Sequence, residues 1–403
     1  VTNYYSLYLA QQLGNRKFRI KNSKEHFCSC KDTLLWNLTA DLKIGGSGQS
    51  APTSPGPVAK GGVEGGAFDQ LDNNGRVSKS TMREPVLDLS GKIVFPQSFN
   101  TVNDEVLAVI DTGIDTTLFD WNVYGPLLTS NGGSAINVMP DVDSTKYQDG
   151  EEVRHGSAVT AIALRAFYEQ CGSTKMLPRI MAVKALDDHG YGSTFSISCG
   201  LSYAMRHKAT LINASLGYWG KQDSVLSYYL ERCKQQNIPV IAAAGNDTLR
   251  HEGPLCFDSV RLNTLLSANP NYMFYPACLS TDSRYSVITV TGMSSSLKPC
   301  RFQFYSPTFV DIGVVTQDPL PGFNSVSTFP ADICCGFRLP FINNSYALDG
   351  SSFATPVISG QILYKMVGVP HNQPNSFWLG KLSTSTMPVG AQYTKNGKYI
   401  VVN

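Results

Sequence analysis

The 403-residue chain has no apolar run near the roughly 20 residues that a membrane-spanning helix requires, so no membrane span is expected. Neither sign of charge is in excess. Lys and Arg total 33 against 31 Asp and Glu, a formal net charge of +2, and there is no Lys/Arg-rich run. That balance excludes the basic footprint of a nucleic-acid partner and gives no reason to expect a membrane surface. The ten cysteines include no Cys-x-x-Cys pair, and no His stands at a metal-finger spacing, which argues against a zinc site. EF-hand spacing is missing too: around Asp141, Asp143, Asp149, Glu151 and Glu152 no Gly or Glu falls where a calcium loop needs it. A solvated acidic loop is the expectation there. No motif calls for a cofactor.

What is present is a globular composition, 42% hydrophobic and 16% charged, long enough for one large α/β domain and an appendage. Residues 1–45 read as an N-terminal extension, an accessory piece or a pro-segment, with a helix-compatible stretch at Tyr4–Leu13 and strand-like text over Phe18–Ile44. Residues 46–93 read as linker and irregular segment, rich in Gly, Ser and Pro at first. Because the chain starts at Val1 rather than Met, a fragment or processed form is expected, with a signal peptide or anchor removed.

Regular patterning begins near residue 94. Short apolar strands are expected at Val106–Asp111, Arg179–Ala185, Leu211–Leu216, Pro239–Ala244 and Val287–Thr291. Helices are expected at Gly156–Glu169, Ser193–His207, Ser224–Gln236 and Thr355–Val367. Their alternation predicts an α/β fold: a doubly wound, mostly parallel sheet with helices on both faces, over 94–403. Sites in such sheets collect at the carboxyl ends of strands. Asp111, Ser215-Leu216-Gly217 and Asn246 all fall at such ends.

Three segments carry the chemistry. Val106–Asp115 (VLAVIDTGID) delivers Asp111, Arg154–Ala161 (RHGSAVTA) delivers His155, and Asp349–Pro356 (DGSSFATP) delivers Ser352. A serine hydroxyl needs a neighbouring base to act as a nucleophile, and a carboxylate behind the histidine fixes its tautomer. Asp115 reads as a structural carboxylate in the next turn.

Over roughly residues 95–365 the chain resembles the subtilisin-like (subtilase) serine proteases. The resemblance rests on the three segments above, on Pro239–Asp247 (PVIAAAGND) and on Asn213–Gly217 (NASLG). Ser351 stands where the family usually has Thr, and Ser157-Ala158 replaces the commoner pair after His-Gly. The family implies a serine endopeptidase working through an acyl-enzyme on Ser352, with His155 as base and acid, Asp111 orienting it, and Asn246 as an oxyanion donor. It also implies that Ser215, Leu216 and Gly217 pair with an extended peptide or protein substrate. Structural calcium occurs in such proteins but has no support in this sequence. The same residues would serve an acyl-transferring transpeptidase or macrocyclase, and a non-catalytic interaction module of the same fold is the remaining alternative. A secreted, periplasmic or cell-surface setting is expected. Cys171, Cys199 and Cys233 read as buried thiols, and a Cys256–Cys278 crosslink is expected to staple the stretch after Asn246.

Overall fold

The computed structural model describes residues 58–60, 99–129, 133–140, 142–151, 154–220, 222–246, 273–299, 303–316, 350–388 and 392–402. The strands among them are β1 (Val58–Lys60), β2 (Asn100–Asp111), β3 (Ser134–Asn137), β4 (Met176–Lys184), β5 (Tyr191–Ser193), β6 (Leu211–Ala214) and β7 (Tyr218–Gly220), followed by β8 (Val240–Ala243), β9 (Met273–Tyr275), β10 (Val287–Met293), β11 (Ile312–Thr316), β12 (Ser385–Thr386) and β13 (Lys398–Val402). The α-helices are α1 (Trp121–Thr129), α2 (His155–Gln170), α3 (Thr194–Arg206), α4 (Ser224–Gln235), α5 (Ser351–Met366) and α6 (Asn375–Gly380).

Nine strands form one sheet in the order β12-β13-β11-β10-β8-β6-β2-β4-β3, parallel throughout except for β12. A two-residue side-chain period explains how β2 serves both faces. Leu107 and Val109 pack into one core with α2, α5 and α6, while Val106, Ala108 and Ile110 pack into a second core with α3 and α4. Both faces are therefore covered, which is why the strands read as continuous apolar runs. The expected doubly wound sheet is present.

Helix starts follow their caps. Ser193 and Ser196 form a capping box at α3, and the Asp223 carboxylate accepts from the Val225 and Leu226 amides at α4. Helix α5 is buried on nearly every side and packs across α2. Gly360 allows that approach, since a Cβ there would lie 2.2 Å from the Ala163 carbonyl oxygen.

Residues 1–45 lie outside the described residues. Of the linker only Val58–Lys60 is described, and it is an antiparallel partner of β5. Among the described residues no helix is long and apolar enough to cross a membrane. Cys171, Cys233 and Cys278 carry free, buried thiols. This corrects the expected Cys256–Cys278 crosslink: Cys278 sits among Ala244, Phe274, Phe304 and Val310, where burial pushes its thiol up to about 12. Cys199, expected as a thiol, is disulfide-bonded.

Candidate active site

The sheet's strand order reverses direction around β2, between β4 on one side and β6 on the other, and such a switch leaves a crevice at the strands' carboxyl ends. Asp111 ends β2 and is fully buried. Its Oδ1 accepts from the Thr112 amide at 2.7 Å, and its backbone carbonyl accepts from Ala185 and Leu186 beyond β4. His155 opens α2, also fully buried, with Nδ1 at 2.7 Å from Asp111 Oδ1. A carboxylate there selects the tautomer with the proton on Nδ1 and leaves Nε2 as an acceptor. Nε2 has no hydrogen-bond partner among the described residues.

Ser352 is the second residue of α5, after Gly350, whose φ of +141° a side chain would strain. Its hydroxyl donates to the Ser215 carbonyl at 3.1 Å, and the Ser215 hydroxyl donates back to the Ser352 carbonyl at 2.7 Å. The second bond has a local cause. Pro356 lacks the amide that would otherwise take up the Ser352 carbonyl inside the helix, so that oxygen is open to Ser215. The Phe353 ring, on α5, lies 5.1 Å from the His155 ring.

Asn246 follows β8 and Gly245, whose φ is +96°. Its Oδ1 accepts from the Ser351 amide at 3.0 Å and the Ser351 hydroxyl at 3.1 Å, and that hydroxyl accepts from the Gly245 amide at 3.0 Å. With Oδ1 committed to Ser351, Nδ2 is turned toward Gly350, where an added Cβ would be 3.1 Å away. Ser215 and Leu216 are buried just past β6, and Gly217 lies where a Cβ would strike the Phe274 ring at 2.3 Å. The structure thus brings Asp111, His155, Ser352, Ser215 and Asn246 to one end of the sheet.

The acidic loop needs correction. Asp143 is exposed, as expected, but Asp149 and Glu151 are buried at 0% and 1% exposure; Asp141 and Glu152 lie outside the described residues. Asp149 accepts from the Thr112 hydroxyl at 2.9 Å and from the Ser157 amide and hydroxyl at 2.9 and 2.7 Å. The Thr112 hydroxyl in turn accepts from the Gly156 amide at 2.9 Å, so the end of β2 and the start of α2 are tied through one carboxylate. Burial raises the Asp149 pKa against those hydrogen bonds. Glu151 Oε2 accepts the His155 backbone amide at 2.9 Å. Two carboxylates just ahead of a helix start were the available signal, because a helix N-terminus favours negative charge. Asp115 is the structural carboxylate expected, accepting from Thr117 and paired with Arg154 at 3.2 Å.

These groups act on His155 together. Burial pulls the imidazole pKa down, but the charge and hydrogen bond of Asp111, with the charges of Glu151 and Asp149, carry it up to about 9. Among the described residues no group of three or more His, Cys, Asp or Glu could hold a metal ion.

The model of the subtilase family matches residues 103–382. A cell wall-associated protease of Bacillus subtilis is 30% identical over 176 residues, covering 44% of this chain and 18% of that protein. Subtilisin NAT of Bacillus subtilis subsp. natto is 29% identical over 259 residues, covering 63% of this chain and 53% of that protein. The chain therefore spans about half, or less, of the length of these relatives. Among solved structures, a cold adapted subtilisin-like serine proteinase matches at 17% identity and a TM-score of 0.47, covering 83% of this chain and 97% of that one.

Proposed function

The chain belongs to the subtilase family, and from that premise we propose that it is a serine endopeptidase whose acyl-enzyme forms on Ser352. The observation that carries this reading is the buried Asp111–His155 pair, 2.7 Å apart, with the outer imidazole nitrogen left as an acceptor beside the α5 terminus. Ser352 Oγ exchanges its hydrogen bond to Ser215 for one to Nε2, gives up its proton to that nitrogen and attacks the scissile carbonyl carbon. Asp111 stabilises the imidazolium. The developing oxyanion is met by Asn246 Nδ2 and by the Ser352 amide, which helix geometry leaves without an intrahelical acceptor. Collapse expels the amine with the proton from Nε2, and water, activated by the same nitrogen, then releases the acid and restores Ser352.

An extended peptide or protein is the substrate this reading requires. Its support is the pairing of Val58–Lys60 with β5, which is how a strand edge takes up an extended segment by main-chain hydrogen bonds. Ser215, Leu216 and Gly217 are the second edge in this proposal. The Cys199 disulfide, together with a cell wall-associated relative, supports a secreted or cell-surface setting. Incubation with a peptide library, read by mass spectrometry, tests the reading. Shortened products are expected; ligated or cyclised products would replace hydrolysis by acyl transfer, and no turnover by folded protein would leave an interaction module.

A further inference from the structure

His155 is the first residue of α2, where the helix's positive end disfavours an imidazolium and would weaken a histidine as a base. The groups around it reverse that. Asp111 is bonded to the ring from the end of β2, and the charges of Asp149 and Glu151, in the loop ahead of α2, favour its protonated form. Arg154, the adjacent cation, is directed elsewhere: its Nε pairs with Asp115 at 3.2 Å and its Nη1 donates to the Glu151 carbonyl at 2.6 Å. Lys184, at the end of β4, is taken up by the Thr112 carbonyl at 2.6 Å and by Asp188 at 2.7 Å. From α5 the neighbour is the uncharged Phe353 ring.

Within this set Glu151 has a distinct geometry. Its side chain is buried, and its carboxylate oxygen caps the backbone amide of His155 itself at 2.9 Å. We propose that Glu151 is a positioning residue for the base: it fixes the start of α2 through the His155 amide and adds a buried carboxylate there to that of Asp111, so that it shifts the pH range in which the enzyme works. The proposal rests on His155 being the base in the reading above. Glu151 touches no reacting atom; it acts through the histidine.

Only neutral His155 can accept the Ser352 proton, and a negative charge nearby favours the protonated ring, so Glu151 holds the onset of activity at higher pH. Replacing Glu151 by Gln keeps an oxygen to accept the His155 amide and removes the charge. The test uses the full chain carrying Ser352→Ala, with the His155 ring titrated by NMR, which reports on the histidine whether or not the protein is a protease. In that background the midpoint is expected near 9, and adding Glu151→Gln lowers it by about one pH unit. In the active chain, Glu151→Gln moves the rising limb of kcat/KM to lower pH by the same amount, with the plateau changed less than about threefold. An unmoved midpoint overturns the proposal, as does a collapsed plateau with an unmoved limb, which would mark a purely structural glutamate. Should Glu151→Gln not fold, Glu151→Ala in the Ser352→Ala background is titrated in its place, with the same lowered midpoint expected; an unmoved midpoint there, or one near the ordinary 6.5 already in Ser352→Ala alone, overturns the proposal.

Discussion

In the proposed mechanism the useful atom of Asn246 is its amide nitrogen, and Ser351 decides where that atom points. Two hydrogen bonds from Ser351 hold Oδ1, and the Gly245 amide holds the Ser351 hydroxyl in turn. Asn246→Ala is expected to lower kcat by about 10²–10³ with little change in KM, because the lost bond belongs to the transition state. A raised KM at constant kcat would instead mark a substrate-binding residue. Ser351→Ala leaves the amide bond to Oδ1 in place, so kcat is expected to fall less than in Asn246→Ala, by about tenfold. An equal loss in the two variants would make Ser351 more than a support. At this scale Asp111, His155, Asn246 and Ser352 were legible because each sits in a short motif at the end of a strand or start of a helix. Asp149 and Glu151 were not, because an acidic loop reads as solvated. What buries them is the α2 terminus with the Thr112 and Ser157 hydroxyls, and that convergence is not local in sequence.

Elements hold these residues by packing two helices closely across one face of the sheet. Helix α5 carries Ser352 and α2 carries His155, so their separation is set where Gly360 meets the Ala163 carbonyl. Gly360→Ala is expected to force the helices apart and to destabilise the fold by about 1–3 kcal/mol, measured by thermal unfolding. An unchanged melting temperature would show that the crossing is looser than described. The five sequence-derived strands and four helices all appear, because continuous apolar runs flanked by helical periodicity leave little choice. The exceptions have physical reasons. Strand β13 extends the sheet by pairing with β11, and β12, too short at two residues to show a pattern, by pairing with β13. Helix α1 contains Pro126, which reads as a break. Val58–Lys60 lies in Gly- and Pro-rich text whose composition gives no strand signal; its strand form comes with the pairing to β5.

Across the whole molecule, activity and stability are expected to run in opposite directions with pH. His155 binds its proton more tightly when folded, so its contribution to stability is fully present below 6.5 and is lost as pH rises through about 9. Glu105, Asp149 and Asp311, all raised by burial, act in the same sense above the ordinary carboxylate range. The Tm of the Ser352→Ala chain should therefore fall from pH 6.5 to above 9, the window in which the base becomes competent; a flat or rising Tm would contradict this. The central claim is that this arrangement activates one serine. Labelling the full chain with a fluorophosphonate probe and mapping the adduct by mass spectrometry tests that claim most directly. A single adduct on Ser352, absent from the folded Ser352→Ala variant, is the predicted result; no adduct, or one on Ser351 or another residue, would contradict it.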